Sequence, residues 1–484
     1  MSSVSRRGLL HTALAGGLSI GANGLVEAQP ASGVPKAELE PTAPAPAASP
    51  AAAVPAKTPA GTNRWRNWSG IHTCQPATWQ VPGTVDELAD LLRRAPGPIR
   101  CVGAGHSFTP LVPTAGTLLS LDRLSGLRSH SLKDGQATLG AGTRLQVTSR
   151  LLDAQGLGLY NLPDIDAQTL AGAMATATHG TGVGFGALHT DLLGLSLMTP
   201  AGQLLHCSPD KLPEVFAAAQ VSLGALGVLT EVTLRVRAHY HLQRRVWLAK
   251  TQDLLDQAPT LAAQHRQFEL YLLPFTGYGA AITHDEVPVG QVQRSTAADE
   301  DVLRDLRRLR DWLGRWPALR RWVAQRAIDP NQSETMTDVS WRLLSTQRPT
   351  RFNETEGHVP HENGIACLRE VLATLEKRNE VFFPIEFRTI RGDQAWLSPF
   401  YGRDSCSIAA HAMQGEPHDY LLSELGPVYR RHGARPHWGK LHDRSPTELR
   451  ALYPQWNAFA AVRRELDPQG RMLTPYMKQL LGET

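Results

Sequence analysis

The sequence predicts an α+β fold with two folded domains, from three kinds of signal. The first is a helical stretch followed by short strands and glycine turns. "VDELADLLRRA" (Val85 to Ala95) repeats its apolar residues at helical spacing and ends on arginines, which suits a helix C-terminus. The second is a set of strand–turn pairs. "IRCVGAG" and "TLLSLDRL" read as strands, "QATLGAGTRLQVTSRLL" as strand, glycine turn and amphipathic helix, and "GLSLMTPAGQLLHC" as a hairpin around its "PAG" turn. The third is the long alternating run "LGVLTEVTLRVRAHY", after which a second region starts near residue 240. The 484 residues allow two or three domains at about 150 residues each. There is no internal repeat.

Composition narrows the class. The chain is 42% hydrophobic and 19% charged, with 49 Lys and Arg against 45 Asp and Glu. A net charge of +4 is too weak and too dispersed for a nucleic-acid binder. No apolar run reaches the roughly 18 residues of a membrane span. "SRRGLL" (Ser5 to Leu10) places paired arginines ahead of the mildly apolar "HTALAGGLSIGANGL", and "VEA" ends at Ala28 with the small residues a signal peptidase cuts. Residues 1–28 therefore read as a twin-arginine export signal and imply a periplasmic or otherwise exported protein. Such export carries folded proteins, commonly ones loaded with a cofactor. Residues 29–62, almost entirely Pro, Ala, Ser and Thr, read as a disordered tether. The five cysteines are scattered without CxxC spacing, so they form neither a zinc site nor a disulfide framework.

Folding is expected to begin at "NRWRNWSG" (Asn63 to Gly70). Asp301 to Arg326 carries arginines on one face and Leu and Trp on the other. A membrane-surface helix is one reading. The reading preferred here is a core-covering helix with a solvated arginine face, broken at Pro317. "RELDPQGRMLTPYMKQLL" reads as a helix end, a turn and a short closing segment.

Three segments carry chemistry. "VGAGHSFTP" (Val102 to Pro110) follows a strand with two glycines and a histidine. It lacks the third glycine of a dinucleotide fingerprint, Phe108 standing there, and Pro110 opposes a helix start. Its backbone can still approach a phosphate or ring closely. A lone histidine is otherwise most often a structural residue. Within "DIDAQTLAGAMATATHGTGVGFGALHTD" (Asp164 to Asp191), few side chains between Thr169 and Leu188 are larger than threonine, so a large flat ligand can lie against it, with hydroxyls and amides as donors. The competing reading is a glycine-rich surface loop. In "PIEFRTI" (Pro384 to Ile390), Glu386 and Arg388 share one strand face as a structural or active-site ion pair. Lys440, in "PHWGKLH", is either a surface lysine or a desolvated cation near a reacting centre.

Taken in order, "VGAGHS", "AGAMATATHGTG", "SLGALGVLTEVTLRV", "IEFR" and "HWGKLH" resemble the aldonolactone oxidase and alditol oxidase (D-arabinono-1,4-lactone oxidase-like) branch of the vanillyl-alcohol oxidase flavoprotein superfamily, from about Asn63 to the C-terminus. The resemblance implies a two-subdomain FAD-binding domain of the PCMH type over 63–240. It also implies a substrate (cap) domain over 241–466, with a mixed or antiparallel sheet covered by helices, and a segment 467–484 returning to the FAD domain. It places Gly103, Ala104, Gly105 and Ser107 on the cofactor backbone and His106 as a single covalent ligand of the flavin. Thr178, Thr181 and Gly182 would line the phosphate and ring side, Gly227 and Val228 the adenine end, and Ala173 the flavin face.

The implied reaction is FAD-dependent oxidation of a hydroxyl of a sugar lactone or polyol, with Arg388 stabilising charge, Lys440 polarising the hydroxyl and Glu386 orienting substrate or acting as base. These three roles are interchangeable. The strand "DSCSIAAHAM" does not match the alditol oxidases' polar contacts, and no role is placed on His411. Oxygen is the expected acceptor. The alternatives are a dehydrogenase using a cytochrome or quinone, and a non-redox periplasmic sugar-binding protein or hydrolase.

Overall fold

A computed structural model describes residues 64–290, 292–294, 299–330, 333–346 and 349–483. The expected export signal (1–28) and tether (29–62) lie outside them.

Thr84 opens the first helix, its hydroxyl accepting from the Glu87 amide at 3.1 Å, and Val85–Arg94 closes on Arg93 and Arg94 as its spacing predicts. Its buried Leu88 and Leu92 pack on a three-stranded parallel sheet, ordered Thr78–Gln80, Thr117–Ser120, Ile99–Val102. A second layer is a five-stranded antiparallel sheet, ordered Leu204–Cys207, Leu192–Met198, Val228–Arg235, Gln136–Gly140, Leu127–Ser131. The "PAG" hairpin and the strand–turn–helix Gln136–Asp153 are both present.

The C-terminal segment is stitched into this first domain. The Arg100 guanidinium donates to the carbonyls of Leu111 (2.7 Å), Leu223 (2.6 Å), Gly224 (3.0 Å) and Met472 (3.0 Å). The Ile99 amide donates to Arg471 O at 2.7 Å, and Arg471 in turn donates to Leu92 O and Ala95 O. Met472 completes the apolar cluster of Leu88, Leu92 and Ile99.

From His241 onward the chain builds an eight-stranded antiparallel sheet, ordered Ser333–Val339, His241–Lys250, Tyr278–Val287, Gln267–Leu273, Ile385–Ile390, Ser405–Met413, Phe352–Pro360, Arg435–Pro436. Period-two alternation gives its central strands two unlike faces. Leu270, Leu272, Ile385, Phe387, Ile408 and Val359 share an apolar cluster with Leu254, Leu368 and Val428 of the covering helices Thr251–Gln264, Gly364–Leu375 and Leu425–Arg431. The opposite face carries the charged residues described below.

One expectation is corrected. Asp299–Leu313 and Pro317–Ala327 are two helices broken at Pro317, but the tryptophans face outward and two arginines face inward. Arg320 is buried because its guanidinium donates to Asn379 O (3.1 Å) and Val381 O (2.8 Å) and lies over the Phe275 ring. Arg310 forks onto Glu416. All five cysteines are free thiols.

Candidate active site

Strand Ile99–Val102 delivers the chain into Gly103–Ser107, which runs along a cavity with about 1230 Å3 of empty space, part of it open to solvent. The segment is pinned from both sides. The Trp68 amide donates to Gly105 O (2.8 Å), Asn67 Nδ2 donates to Ser107 O (3.0 Å), and the Phe108 amide donates to Gly439 O (2.7 Å). Gly105 sits at φ +68°, and a Cβ on Gly103 would stand 2.3 Å from Thr169 Oγ1. Among the described residues, the amides of Ala104, Gly105, His106 and Ser107 donate to no protein acceptor, leaving a row of donors along the cavity. His106 stacks on Trp68, ring centroids 5.0 Å apart at 20°. Burial, reinforced by Lys440, Arg144 and Arg351, holds its pKa down to about 4, so the imidazole is neutral near pH 7. Gly103→Ala is expected to cost most of the bound cofactor, with the flavin absorbance of the purified protein as the readout.

Cross-strand register assembles the charged sheet face. Tyr271, Glu386, Ala409 and Glu356 form one row across four strands, and Glu269, Arg388, Ser407 and His358 form the next. His411 stands opposite Glu354 in a third. Arg388 is ringed by Asp164 (2.7 Å), Glu269 (3.0 Å), Glu386 (3.1 Å) and the Tyr271 hydroxyl (3.1 Å). Burial alone would lower its pKa, but Glu386 and Asp164 push it well above the usual arginine range. Lys440 bonds Glu354 and lies 3.8 Å from Glu356; the two carboxylates outweigh its burial and raise its pKa. Burial would raise Glu354, yet Lys440 and His411 pull it down to about 2.

His179 is hydrogen-bonded to an acceptor at each ring nitrogen: Gly180 O at 2.8 Å from Nδ1 and Glu356 Oε1 at 2.9 Å from Nε2. Glu356 also accepts from Ser407, and its pKa lies well below the usual range: burial pushes it up, but His179 outweighs that. His179, Glu356 and His437 hold ligand-type atoms within 4.8 Å of one another. The Gly439 amide already donates to His437 Nδ1 at 3.0 Å, which leaves the proton of the neutral ring on Nε2 and opposes metal ligation by this imidazole.

The expected residues divide. Gly103, Ala104, Gly105, His106, Ser107, Gly227 and Val228 line the cavity, and Lys440 reaches it with Glu354 and His437. Glu386 and Arg388 pair as their two-residue spacing implies, on the sheet face behind. Ala173, Thr178, Thr181 and Gly182 do not line the cavity. The small-residue stretch contains the helix Leu170–Ala175, which turns Ala171, Gly172 and Ala175 to the cavity and buries Ala173. Thr178 braces Gln168 (2.8 Å), while Thr181 donates to Phe268 O (2.6 Å) and the Gly182 amide to Thr389 O (2.8 Å), joining the two domains. Sequence reading missed Glu354, Glu356, Glu269, Asp164 and Tyr271. The run "FNETEGH" held a usable signal, two glutamates and a histidine at successive alternate positions of one strand.

The D-arabinono-1,4-lactone oxidase family profile matches residues 232–480, and an FAD-binding domain profile matches 76–208. The L-gulono-1,4-lactone dehydrogenase of Mycobacterium tuberculosis is 34% identical, over 86% of this chain and 99% of its own length. The chain belongs to the D-arabinono-1,4-lactone oxidase family. Other relatives are the L-gulonolactone oxidase of Bos taurus and an alditol oxidase of a Streptomyces species, each 28% identical over 86% of this chain and 98% of their own. The fold matches cholesterol oxidase from B. sterolicum with a TM-score of 0.69 at 16% identity, over 87% of this chain and 97% of that one. As a member of the family the protein is an FAD-dependent oxidoreductase acting on CH–OH groups. The glycine cradle, its row of unclaimed amides and the long cavity fit that cofactor.

Proposed function

We propose that the protein oxidises a ring hydroxyl of a neutral aldono-1,4-lactone. The observation that carries this is the charge of the sheet face beside the cavity. Five carboxyl groups (Asp164, Glu269, Glu354, Glu356 and Glu386) surround two fixed cations, Arg388 and Lys440. Such a site repels an anionic substrate and offers many acceptors to hydroxyl groups. The relatives' names point to the same substrate class.

FAD supplies a hydride acceptor at its N5 when bound. Lys440, charged and facing the cavity, polarises the reacting hydroxyl. Glu354 and Glu356 hold that cation in place, their pKa values too low for either to keep the released proton, which passes on to solvent. Glu386, held by Arg388, orients the remaining hydroxyls. His106 carries the flavin through a covalent bond, a role supported by its neutral, nucleophilic imidazole at the cavity wall. Oxygen is the proposed acceptor. The twin-arginine pattern at Ser5 to Leu10 supports export to the periplasm.

Turnover tests the reading. Aldono-1,4-lactones are expected to be oxidised with release of peroxide, and the ring-opened aldonates to react at least about tenfold more slowly in kcat/KM, as expected for one like-charge contact. Equal rates for lactone and aldonate would refute the charge argument, and dye reduction without peroxide would assign a dehydrogenase. Separately, flavin fluorescence is expected to travel with the denatured band on a gel in the parent and to be lost in His106→Ala. Flavin released from the parent would return His106 to its packing role against Trp68.

A further inference from the structure

The helix pair Asp299–Leu313 and Pro317–Ala327 inverts the usual burial order. Trp312, Trp316 and Trp322 are 70%, 59% and 51% exposed and Leu319 is 44% exposed, while Arg320 is fully buried. Three indoles left in water forgo the burial that ordinarily makes tryptophan valuable to a fold. The inner side is satisfied without them, through Arg320 on two backbone carbonyls and Arg310 on Glu416. The outer face is therefore not needed for holding the pair to the domain.

Its chemistry says what it suits. Residues 299–327 contain eight arginines against four aspartates and one glutamate, and no lysine. Arg304, Arg307, Arg308 and Arg321 have half-exposed side chains, and the Arg326 guanidinium lies 3.8 Å above the Trp322 ring, placing cation and indole at one surface. Exposed tryptophan among arginines is the composition of a surface that rests in lipid headgroups, the indoles reaching the acyl boundary and the guanidiniums pairing with phosphates. A second copy fits poorly, because a two-fold contact would set the arginines of one protomer against those of the other. No described helix is long and apolar enough to cross a membrane, so the contact is interfacial.

We propose that this face docks on the surface of a bilayer containing anionic lipid. Flavin-loaded, full-length protein is sedimented with vesicles of phosphatidylcholine alone or mixed with phosphatidylglycerol. Partition onto the mixed vesicles is expected to be roughly tenfold or more higher, to weaken with salt, and to be lost in Trp312→Ser/Trp316→Ser/Trp322→Ser with the flavin spectrum and lactone turnover kept. Should that variant precipitate, Arg304→Gln/Arg307→Gln/Arg308→Gln provides the same test, losing the salt-sensitive part. Equal binding to both vesicle types overturns the proposal. So does a variant that binds as well as its parent, which would assign the contact elsewhere in the chain, and so does a variant that changes the mass in solution, which would assign the face to a second copy.

Discussion

Arg388→Met is expected to lower stability by about 3–5 kcal/mol and to abolish turnover, because it removes the buried guanidinium that Asp164, Glu269 and Glu386 all face. That is a large part of the stability of an ordinary domain. Burial already raises the Glu269 carboxyl, with Asp164 and Glu386 adding to it. Loss of the guanidinium would push this group toward the protonated form. Arg388→Lys separates charge from geometry. One ammonium cannot reproduce the fork that meets Glu269 through Nε and Asp164 through a terminal nitrogen. This variant is expected to fold but to lose about 10²–10³ in kcat/KM. Thermal melts and steady-state rates decide the matter. An Arg388→Met protein that melts with the parent would show that the carboxylates ionise without it.

Acid is expected to unfold the protein well above the pH at which its carboxylates titrate. Burial holds His437 and His442 down to about 4 and His284 to about 3. An unfolded histidine titrates near 6.5. As pH falls through that value, the unfolded chain takes up protons that the native state refuses. The stability these groups contribute is therefore complete above about pH 6.5 and is lost as pH falls toward about 4, at roughly 1.4 kcal/mol per pH unit for each group. Glu354, held down to about 2, acts in the same sense but only below its ordinary range near 4.5. Denaturant melts of the flavin-loaded protein should show a steep fall between pH 6.5 and 4.5. A flat profile there would mean that these histidines are protonated in the native state.

Local pattern made the first domain readable. Arginine at the end of Val85–Arg94, the "PAG" hairpin and the turn before Leu145–Asp153 all follow from neighbours in sequence. Gly103–Ser107 reads as a ligand-approach turn for the same reason, since turn chemistry is local, whereas local pattern left Lys440 open between surface and site and only the family resemblance gave it a role. The charged floor was not legible. Glu354 meets Lys440 and Glu356 meets His179 only through strand order in an eight-stranded sheet, and single-sequence periodicity carries no information about that order. The small-residue stretch misled for a different reason. With glycine and alanine at most positions, the helical face of Leu170–Ala175 left no apolar stripe to read, so Ala173 was placed on the cofactor side when it packs inward. The tryptophans of the helix pair were assigned to the core by their hydrophobicity, whereas hydrogen bonding drew Arg320 there instead.

The ties from Arg100 to Met472 and from Arg471 to the end of the first helix bear on the order in which the molecule can be made. The glycine segment that lines the cavity is synthesised early, yet the Phe108 amide rests on Gly439 and the strand before the segment rests on Arg471. A nascent first domain emerging from the ribosome lacks both supports. It must wait, with its parallel strands and cradle incomplete, until nearly the whole polypeptide has been released. Cofactor capture is then expected to follow synthesis of Met472, and the incomplete domain is expected to be the stage at which the protein most needs protection from aggregation.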